Sequence, residues 1–447
     1  METTNMKNKI LLISFDAMVQ EDIEYLMSRS DSNFNRIMGH CAKVGSVKSV
    51  YPSITYPAHY AIASGCNPGK SHFCENFYLP FNTDGKKGWI LESNACPTED
   101  FFVAAKRAGM TTASVFWPSM GKNPNVDWLI NECFPTLEED YLDVFAQQGA
   151  NEETLRVIEQ AKSSFPHDTK RGHACPTKEN TYDEFLTQCL CLLIKEYQPD
   201  FAVVHNSFID TVRHRYGVFH EQVLKAVDYA DEWLGKIADA LTEAGVYENT
   251  NIVIISDHGQ MNYTRAVKPN LILERGGFLT ANEERKLESW RAYVVSCGMS
   301  AHVYLKDKKD RKLQEEVYQY LKGFADEGVW GFDKIWTEQE MRERYGLYGE
   351  FSFVLETDGY TQFSESLNEP MVRNVEIGDC REAKATHGYM PELGPQPVFC
   401  ATGPDFQKDA YVSTGNIIDI APTLARVMGV EMPQAEGNIL TELLRRK

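Results

Sequence analysis

Three apolar, β-branched runs that each end beside an acidic side chain constrain the fold of this chain most strongly. They are KILLISFDAM, DFAVVHNSFID and NIVIISDHG, and they end at Asp16, at Asp210 and at Asp257-His258. Continuous apolar strands are typical of parallel sheets that helices cover on both faces. Such sheets place their ligand sites at the carboxyl ends of the strands. The runs therefore predict one site at one edge of one sheet.

Helix-period segments lie between these runs. Residues 219–244 carry apolar side chains at spacings of three and four, and Gly245 ends the pattern. Residues 181–196 and 99–108 predict two further helices. The alternation of strands and helices predicts an α/β fold with a mostly parallel sheet sandwiched by helices.

The character of the sequence changes after His258. Residues 259–386 are richer in charge and contain strand-like SAHVYLKD and EFSFVLETDG around helix-like DRKLQEEVYQYLKGFADEG. The chain then returns to a helical NIIDIAPTLARVMG. We therefore expect a catalytic core of residues 1–258 and 387–447, interrupted by a smaller α+β cap domain of residues 259–386.

Composition limits the classes of partner. A formal net charge of −19 disfavours nucleic-acid polymers and anionic membranes, and a phosphate site would need metal ions for positive potential. The sequence shows no secretion-type leader and no long apolar run. Its 11 cysteines include no CxxC pair and are interpreted as reduced thiols. These features predict a cytoplasmic protein without a membrane partner, and they leave its oligomeric state open.

The spacing of acidic and histidine residues predicts a metal centre. Asp210 and His214 lie four residues apart, so they share one face of a helix that follows a strand. The Asp257-His258 pair precedes a glycine that lets the backbone turn, and His387-Gly388 repeats the arrangement after the cap.

Asp16 completes a set of three carboxylates and three imidazoles. This set suits Zn²⁺, and it would be electrostatically untenable if it were packed together without cations. The number of ligands predicts two zinc ions per chain, which can clamp the attacking and leaving oxygens of an in-line phosphoryl displacement.

The candidate nucleophile lies in YPSITYPAHYAIASG. Thr55 precedes an expected helix whose first turn holds Pro57, so its hydroxyl would lie at the positive end of that helix. Coordination to a metal would lower the pKa of this hydroxyl and permit a covalent phospho-threonine. His59 and His205 are interpreted as structural, whereas Arg213 could contact substrate phosphate or pair with a surface acid.

These motifs resemble the nucleotide pyrophosphatase/phosphodiesterase family of the alkaline phosphatase superfamily. The resemblance covers most of the chain and runs in order through SFDAM, YPSITYPAHY, ASGCNPGKSHFCENFY, FWPSM, the Asp-x-x-x-His element, SDHGQM, THGYMP and GPDF. It implies an alkaline-phosphatase-like fold and the hydrolysis of phosphodiesters or phosphoanhydrides.

The resemblance also implies roles for individual residues. Asn76 matches the asparagine that donates to a non-bridging phosphate oxygen, and Tyr56 matches the aromatic residue that stacks on a nucleobase. The implied ligands are Asp210, His214 and His387 for one zinc, and Asp16, Thr55, Asp257 and His258 for the other.

Two departures from the family pattern leave the substrate open. Phe208-Ile209 replaces a glutamate-proline pair, and Phe73-Cys74-Glu75 replaces a glycine-isoleucine element. The expected partner is a small-molecule phosphate ester, with nucleotides among the candidates. The alternatives are a phosphomonoesterase, a phosphonate hydrolase of the phosphonoacetate-hydrolase type, and a non-catalytic binding protein that keeps the zinc scaffold.

Overall fold

A computed structural model describes residues 7–79, 81, 88–93, 96–136, 138–165, 182–376, 378 and 383–446. In these residues the strands are β1 (Lys9–Phe15), β2 (Ala42–Lys48), β3 (Thr112–Val115), β4 (Trp128–Ile130), β5 (Phe201–Asn206), β6 (Thr250–Ile255), β7 (Met261–Asn262), β8 (Arg265–Val267), β9 (Leu279–Ala281), β10 (Leu287–Trp290), β11 (Ala292–Ser296), β12 (Ser300–Leu305), β13 (Phe332–Thr337), β14 (Phe353–Thr357), β15 (Thr361–Phe363), β16 (Val372–Asn374), β17 (Ala385–Thr386), β18 (Phe399–Thr402) and β19 (Tyr411–Asn416).

The α-helices of the same residues are α1 (Gln20–Met27), α2 (Asn33–Met38), α3 (Thr55–Ser64), α4 (Pro68–Ser71), α5 (Phe101–Arg107), α6 (Tyr141–Gln147), α7 (Glu152–Gln160), α8 (Asp183–Tyr197), α9 (Phe208–Tyr216), α10 (Glu221–Glu243), α11 (Pro269–Arg275), α12 (Arg311–Glu327), α13 (Glu338–Tyr345) and α14 (Ile420–Met428). Short 3-10 helices lie at Lys162–Ser164, Tyr247–Asn249, Ile417–Asp419 and Thr441–Leu443. None of the helices in the described part of the chain is long and apolar enough to cross a membrane.

A central sheet of eight strands organises the chain in the order β19-β2-β18-β6-β1-β5-β3-β4. Strand β18 runs antiparallel to both of its neighbours, and the other pairings are parallel. The mostly parallel α/β fold predicted from the sequence is therefore confirmed.

Both faces of this sheet are buried, which explains the continuous apolar runs. On β1 the side chains of Leu11 and Ile13 belong to one apolar core, and those of Ile10 and Leu12 belong to the core on the opposite face. All four are at most 2% exposed. Burial of such a side chain stabilises the fold by about 1.5–3 kcal/mol, so a central strand gains from each successive residue.

The predicted helices are present with slightly different ends. Helix α10 covers most of 219–244 and is followed by Gly245 with a φ of 71°. Helices α5 and α8 fall within or close to 99–108 and 181–196, although residue 181 lies outside the described residues. The strand that precedes Asp210 ends earlier than the apolar run indicates, because the backbone enters α9 at Phe208.

A second sheet lies inside the segment predicted as the cap. It has four antiparallel strands in the order β11-β12-β14-β13 and a hydrophobic core of its own. The chain enters and leaves this segment at one place, because Thr386 in β17 pairs with Met261 in β7. This arrangement is consistent with an insertion, and the boundaries 259–386 stay a prediction.

Candidate metal centre and active site

The carboxyl edge of the central sheet brings the predicted ligands together. Asp16 follows β1, Asp257 and His258 follow β6, and α9 presents Asp210 after β5. Strand β2 runs in the same direction as β6, because both are antiparallel to β18. The loop that follows β2 therefore leaves from the same edge and leads to Thr55, the first residue of α3.

One cluster contains Asp16, Asp257 and His258, whose ligand atoms lie within 4.8 Å of one another. Nε2 of His258 lies 3.1 Å from Oδ2 of Asp257 and 3.6 Å from Oδ1 of Asp16. The Thr55 hydroxyl oxygen lies 3.3 Å from the same nitrogen. The structure therefore brings together all four residues that the family resemblance assigns to one zinc.

A second cluster contains Asp210, His258 and His387, again within 4.8 Å. Nε2 of His214 lies 3.3 Å from Oδ1 of Asp210, and the His214 and His387 rings lie 5.1 Å apart. His258 belongs to both clusters, which makes the two ligand sets adjacent. The residues that the resemblance assigns to the other zinc are thus also neighbours.

Several buried atoms of this centre lack a hydrogen-bond partner among the described residues. They are Oδ1 of Asp16, Oδ2 of Asp257 and Nδ1 of His387. Burying carboxylate oxygens without compensation is costly. A divalent cation would compensate them, so the donor set fits a metal centre.

Burial shifts the pKa values of the carboxyl and imidazole groups in this centre. Burial raises the pKa of Asp257 to about 8, and burial together with the charge of Asp257 raises the pKa of Asp16 well above its usual range. Burial lowers the pKa of His387 to about 4, and burial also lowers the pKa of His258 well below its usual value. Neutral imidazole is the form in which histidine binds metals.

Neighbouring groups hold His214 and Asp210 in place. Nδ1 of His214 donates to the carbonyl oxygen of Ala385 over 2.7 Å, which leaves Nε2 available toward the cluster. The amide of Gln260 donates to the Asp210 backbone carbonyl over 3.0 Å. Such outer contacts set the tautomer and direction of a ligand.

A buried pair of histidines lies directly behind the first cluster. Nδ1 of His59 donates to the Thr55 carbonyl oxygen over 2.8 Å, and its Nε2 lies 2.8 Å from the Ser14 hydroxyl and 2.9 Å from Nδ1 of His205. The other ring nitrogen of His205 lies 3.6 Å from Oδ2 of Asp16. The hydrogen bonds agree with the structural interpretation of both histidines, and they place the pair directly behind Asp16. The four-residue spacing of Thr55 and His59 could have indicated this position.

Arg213 is buried, and it pairs with a buried acid rather than with the surface acid that the sequence suggests. Its guanidinium makes two 2.8 Å hydrogen bonds to the carboxylate of Asp22, and both side chains are about 6% exposed or less. Arg213 also donates to the carbonyl oxygen of Ala17, the residue after Asp16. It therefore braces the loop that carries Asp16.

Asn76 and Tyr56, which are predicted to contact the substrate, lie beside Thr55. Oδ1 of Asn76 accepts from the Tyr56 backbone N–H over 3.0 Å. The Tyr56 side chain is 1% exposed, and its ring stacks on Trp89 with centroids 4.9 Å apart. In this conformation Trp89 occupies one face of the ring, and base stacking by Tyr56 stays a prediction.

Two glycines beside the predicted histidine ligands lie so close to backbone atoms of other segments that a Cβ would not fit. A Cβ on Gly388 would lie 1.7 Å from the carbonyl oxygen of Cys297, and the φ of Gly388 is 89°. A Cβ on Gly259 would lie 2.4 Å from the carbonyl oxygen of Pro395. The φ of Gly259 is not positive, so its backbone does not make the sharp turn that the sequence suggests. Glycine is needed there because a side chain has no space.

Comparison with known proteins identifies the family of this chain. The profile of the type I phosphodiesterase / nucleotide pyrophosphatase family matches residues 10–390. Human bis(5'-adenosyl)-triphosphatase ENPP4 is 21% identical over 439 residues, which are 96% of this chain and 80% of that protein. Venom phosphodiesterase 2 of Crotalus adamanteus is 21% identical over 231 residues, or 51% of this chain, and the match spans only 24% of the venom enzyme.

Solved structures show the same fold. Murine ectonucleotide pyrophosphatase / phosphodiesterase 5 superposes with a TM-score of 0.66 at 18% identity, covering 98% of this chain and 100% of that one. The human protein of the same name gives a TM-score of 0.67 at 18% identity, with the same coverage. The chain therefore belongs to the type I phosphodiesterase / nucleotide pyrophosphatase family.

Proposed function

We propose that this chain is a two-zinc hydrolase of phosphodiesters or phosphoanhydrides that acts through a covalent phospho-Thr55 intermediate. One observation supports it most directly: the Thr55 hydroxyl lies 3.3 Å from His258, the residue common to both ligand clusters. A hydroxyl at this point can meet a phosphorus atom held between the two sets of ligands.

The local structure suits Thr55 to nucleophilic attack. Thr55 is the first residue of α3, so its hydroxyl lies at the positive end of the helix. It is partly exposed, whereas its neighbours Ile54 and Tyr56 are buried. The hydrogen bond from His59 to the Thr55 carbonyl fixes the backbone below the hydroxyl.

The chemistry then takes two displacements. The Thr55 oxygen forms a bond to phosphorus while the bond to the leaving oxygen breaks, and the threonine proton passes to solvent. Water next displaces Thr55 from phosphorus and releases a monoester. Asn76, whose Oδ1 is engaged by the Tyr56 N–H, would turn its amide N–H toward a phosphate oxygen and stabilise the charge that develops there.

Two zinc ions would be held by the two ligand sets described above. When bound, they would act as Lewis acids that lower the pKa of the Thr55 hydroxyl and offset negative charge on the phosphoryl group. The chain carries a formal net charge of −19, so without such cations its overall charge would repel phosphate.

A small phosphate ester is the proposed substrate, with nucleotides as the first class to test. One relative is named a bis(5'-adenosyl)-triphosphatase, and an inactive variant of murine ectonucleotide pyrophosphatase / phosphodiesterase 5 has been solved in complex with AMP. The replacement of the family's glutamate-proline pair by Phe208-Ile209 keeps a phosphomonoester or a phosphonate as the alternative substrate class.

A paired assay separates these substrates. The zinc-loaded protein is given bis-p-nitrophenyl phosphate and p-nitrophenyl phosphate, each before and after chelation and after zinc is restored. We expect faster, zinc-dependent cleavage of the diester. Faster cleavage of the monoester would favour the alternative, and zinc binding without turnover of either ester or of a phosphonate would favour a non-catalytic binding protein.

A further inference from the structure

The second sheet presents a row of buried polar side chains to the core. Ser300, His302 and Tyr304 alternate along β12, so they share one face, and Glu356 lies opposite Ser300 on β14. All four side chains are at most 4% exposed. We call these four residues the template face.

Each member of the template face bonds to a loop of the predicted active site. The Ser300 hydroxyl donates to the carbonyl oxygen of Gly388, the residue after His387, over 2.6 Å. Glu356 accepts from the hydroxyl of Tyr51, four residues before Thr55. His302 and Tyr304 both bond to Glu75, the residue before Asn76.

Glu75 receives the densest set of these bonds. Glu75 is 7% exposed, and its carboxylate accepts from Nδ1 of His302 over 2.6 Å and from the Tyr304 hydroxyl over 2.8 Å. The Cys297 thiol lies 3.6 Å from its second oxygen. This buried carboxylate accepts from side chains of the second sheet, so it cannot shift without leaving those donors unpaired.

These contacts form a hydrogen-bond network rather than a cation site. Zinc–nitrogen and zinc–oxygen bonds of about 2.0–2.2 Å in tetrahedral geometry place two ligand atoms more than about 3.2 Å apart. The Glu75 and His302 atoms lie 2.6 Å apart, which is the distance of a hydrogen bond. Burial, reinforced by the charge of Glu75, raises the pKa of the Cys297 thiol, so this thiol is protonated and donates.

We propose that Glu75 is a positioning residue that fixes Asn76 in place by holding its loop against the template face. We call this arrangement the lock. The inserted sheet thereby sets the distance between the Asn76 amide and Thr55. This inference rests on the proposed function, because Asn76 matters to turnover only if it contacts a phosphate. Its structural part is independent of turnover, because Asn76 Oδ1 also accepts from the Tyr56 N–H over 3.0 Å.

Two variants test the lock at different strengths. Glu75→Gln keeps the shape but turns one acceptor oxygen into a donor amide. Tyr304→Phe removes one donor and keeps the ring against Phe81 and Phe351, so it tests the lock if Glu75→Gln does not fold. We expect Glu75→Gln to lower kcat on the diester by about 10- to 100-fold, because small misplacements of a catalytic group have effects of this size. A several-fold decrease is expected for Tyr304→Phe.

Asp231→Asn is the matched control for buried charge. Its carboxylate is also 7% exposed and accepts from the backbone N–H groups of Asn33 and Phe34 at 2.9 and 2.7 Å, away from the Asn76 loop. We expect this variant to lower the melting temperature without lowering kcat. An equal loss of kcat in both variants would assign the Glu75 effect to general stability and overturn the proposal.

A double-mutant cycle shows whether Glu75 acts through Asn76. In the Asn76→Ala background, Glu75→Gln should cause no further loss of kcat/KM, since the group that it positions is absent. Losses that multiply in the double variant would mean that Glu75 acts by another route and would overturn the proposal.

Hydrogen exchange separates this inference from the proposed function. The Tyr56 amide should exchange faster in Glu75→Gln and Tyr304→Phe than in wild type, and should be unchanged in Asp231→Asn. Unchanged exchange at Tyr56 in both variants would overturn the lock, whatever the activity. Absence of hydrolysis by wild type, with faster exchange in the variants, would overturn the proposed function and leave the lock supported.

Discussion

The Thr55 hydroxyl oxygen lies 3.3 Å from Nε2 of His258, at the point where the two ligand clusters meet. We expect Thr55→Ala to lower kcat/KM on bis-p-nitrophenyl phosphate by about three orders of magnitude or more, because the attacking atom is removed. Thr55→Ser keeps the hydroxyl and should retain a measurable part of the activity. Metal content, measured by mass spectrometry, should change little in either variant. Turnover by Thr55→Ala at the wild-type rate would contradict the mechanism.

The stability of the chelated protein should fall between about pH 7 and pH 8. Burial raises the pKa of Asp257 to about 8, so its protonated form favours folding and this contribution is lost as the pH rises from about 4 toward 8. His387, whose pKa burial lowers to about 4, acts in the opposite sense, and its contribution is lost only as the pH falls below about 6.5. Above pH 7 the carboxyl effect therefore dominates.

Urea unfolding of the chelated protein at three pH values across this window measures the effect. Zinc should remove the downward slope, because a cation replaces the proton on the carboxylate. Asp257→Asn, which cannot ionise, should also flatten the slope of the chelated protein. A free energy of unfolding that rises with pH in this window would show that another group controls stability.

The histidine pair behind the first cluster should affect metal binding. His205→Leu removes the nitrogen 3.6 Å from Asp16 and leaves His59 without one of its hydrogen-bond partners. Zinc affinity should therefore fall by about 10- to 100-fold, as for other outer contacts of metal ligands. The matched control is His40→Leu, because His40 is 76% exposed beside Asp409. Competition with a chromogenic chelator measures both affinities, and equal affinities in the two variants would rule out this role.

The buried ion pair of Arg213 and Asp22 should be important for stability. Arg213→Met leaves a buried carboxylate without its partner, so the free energy of unfolding should fall by about 3–5 kcal/mol. Arg36→Met is the control, because Arg36 is 54% exposed and lies 3.9 Å from Asp239, and it should cost less than about 1 kcal/mol. Chemical denaturation of the zinc-loaded proteins measures both. Similar losses in the two variants would mean that Arg213 does not brace the Asp16 loop.

The local pattern of the sequence determined the central sheet and most of the predicted centre. Buried strands such as β1 can be recognised in the sequence as apolar runs, because a strand buried on both faces needs apolar side chains at every position. The predicted ligands Asp16, Asp210, Asp257 and His258 follow the parallel strands within a few residues, so the order of these strands gathers them at one edge. Zinc, the phospho-Thr55 intermediate and a cytoplasmic location remain predictions of the sequence.

Only the tertiary structure decided how these residues are supported. Glu75 and His302 are separated by 227 positions, and no periodicity or motif connects them. Arg213 and Asp22 are likewise joined across 191 positions. Such pairs depend on how the inserted sheet and the core loops are packed, and a buried polar side chain finds its partner in space rather than in sequence. The sequence therefore determined which groups can carry out the chemistry, and the packing decided which groups hold them in place.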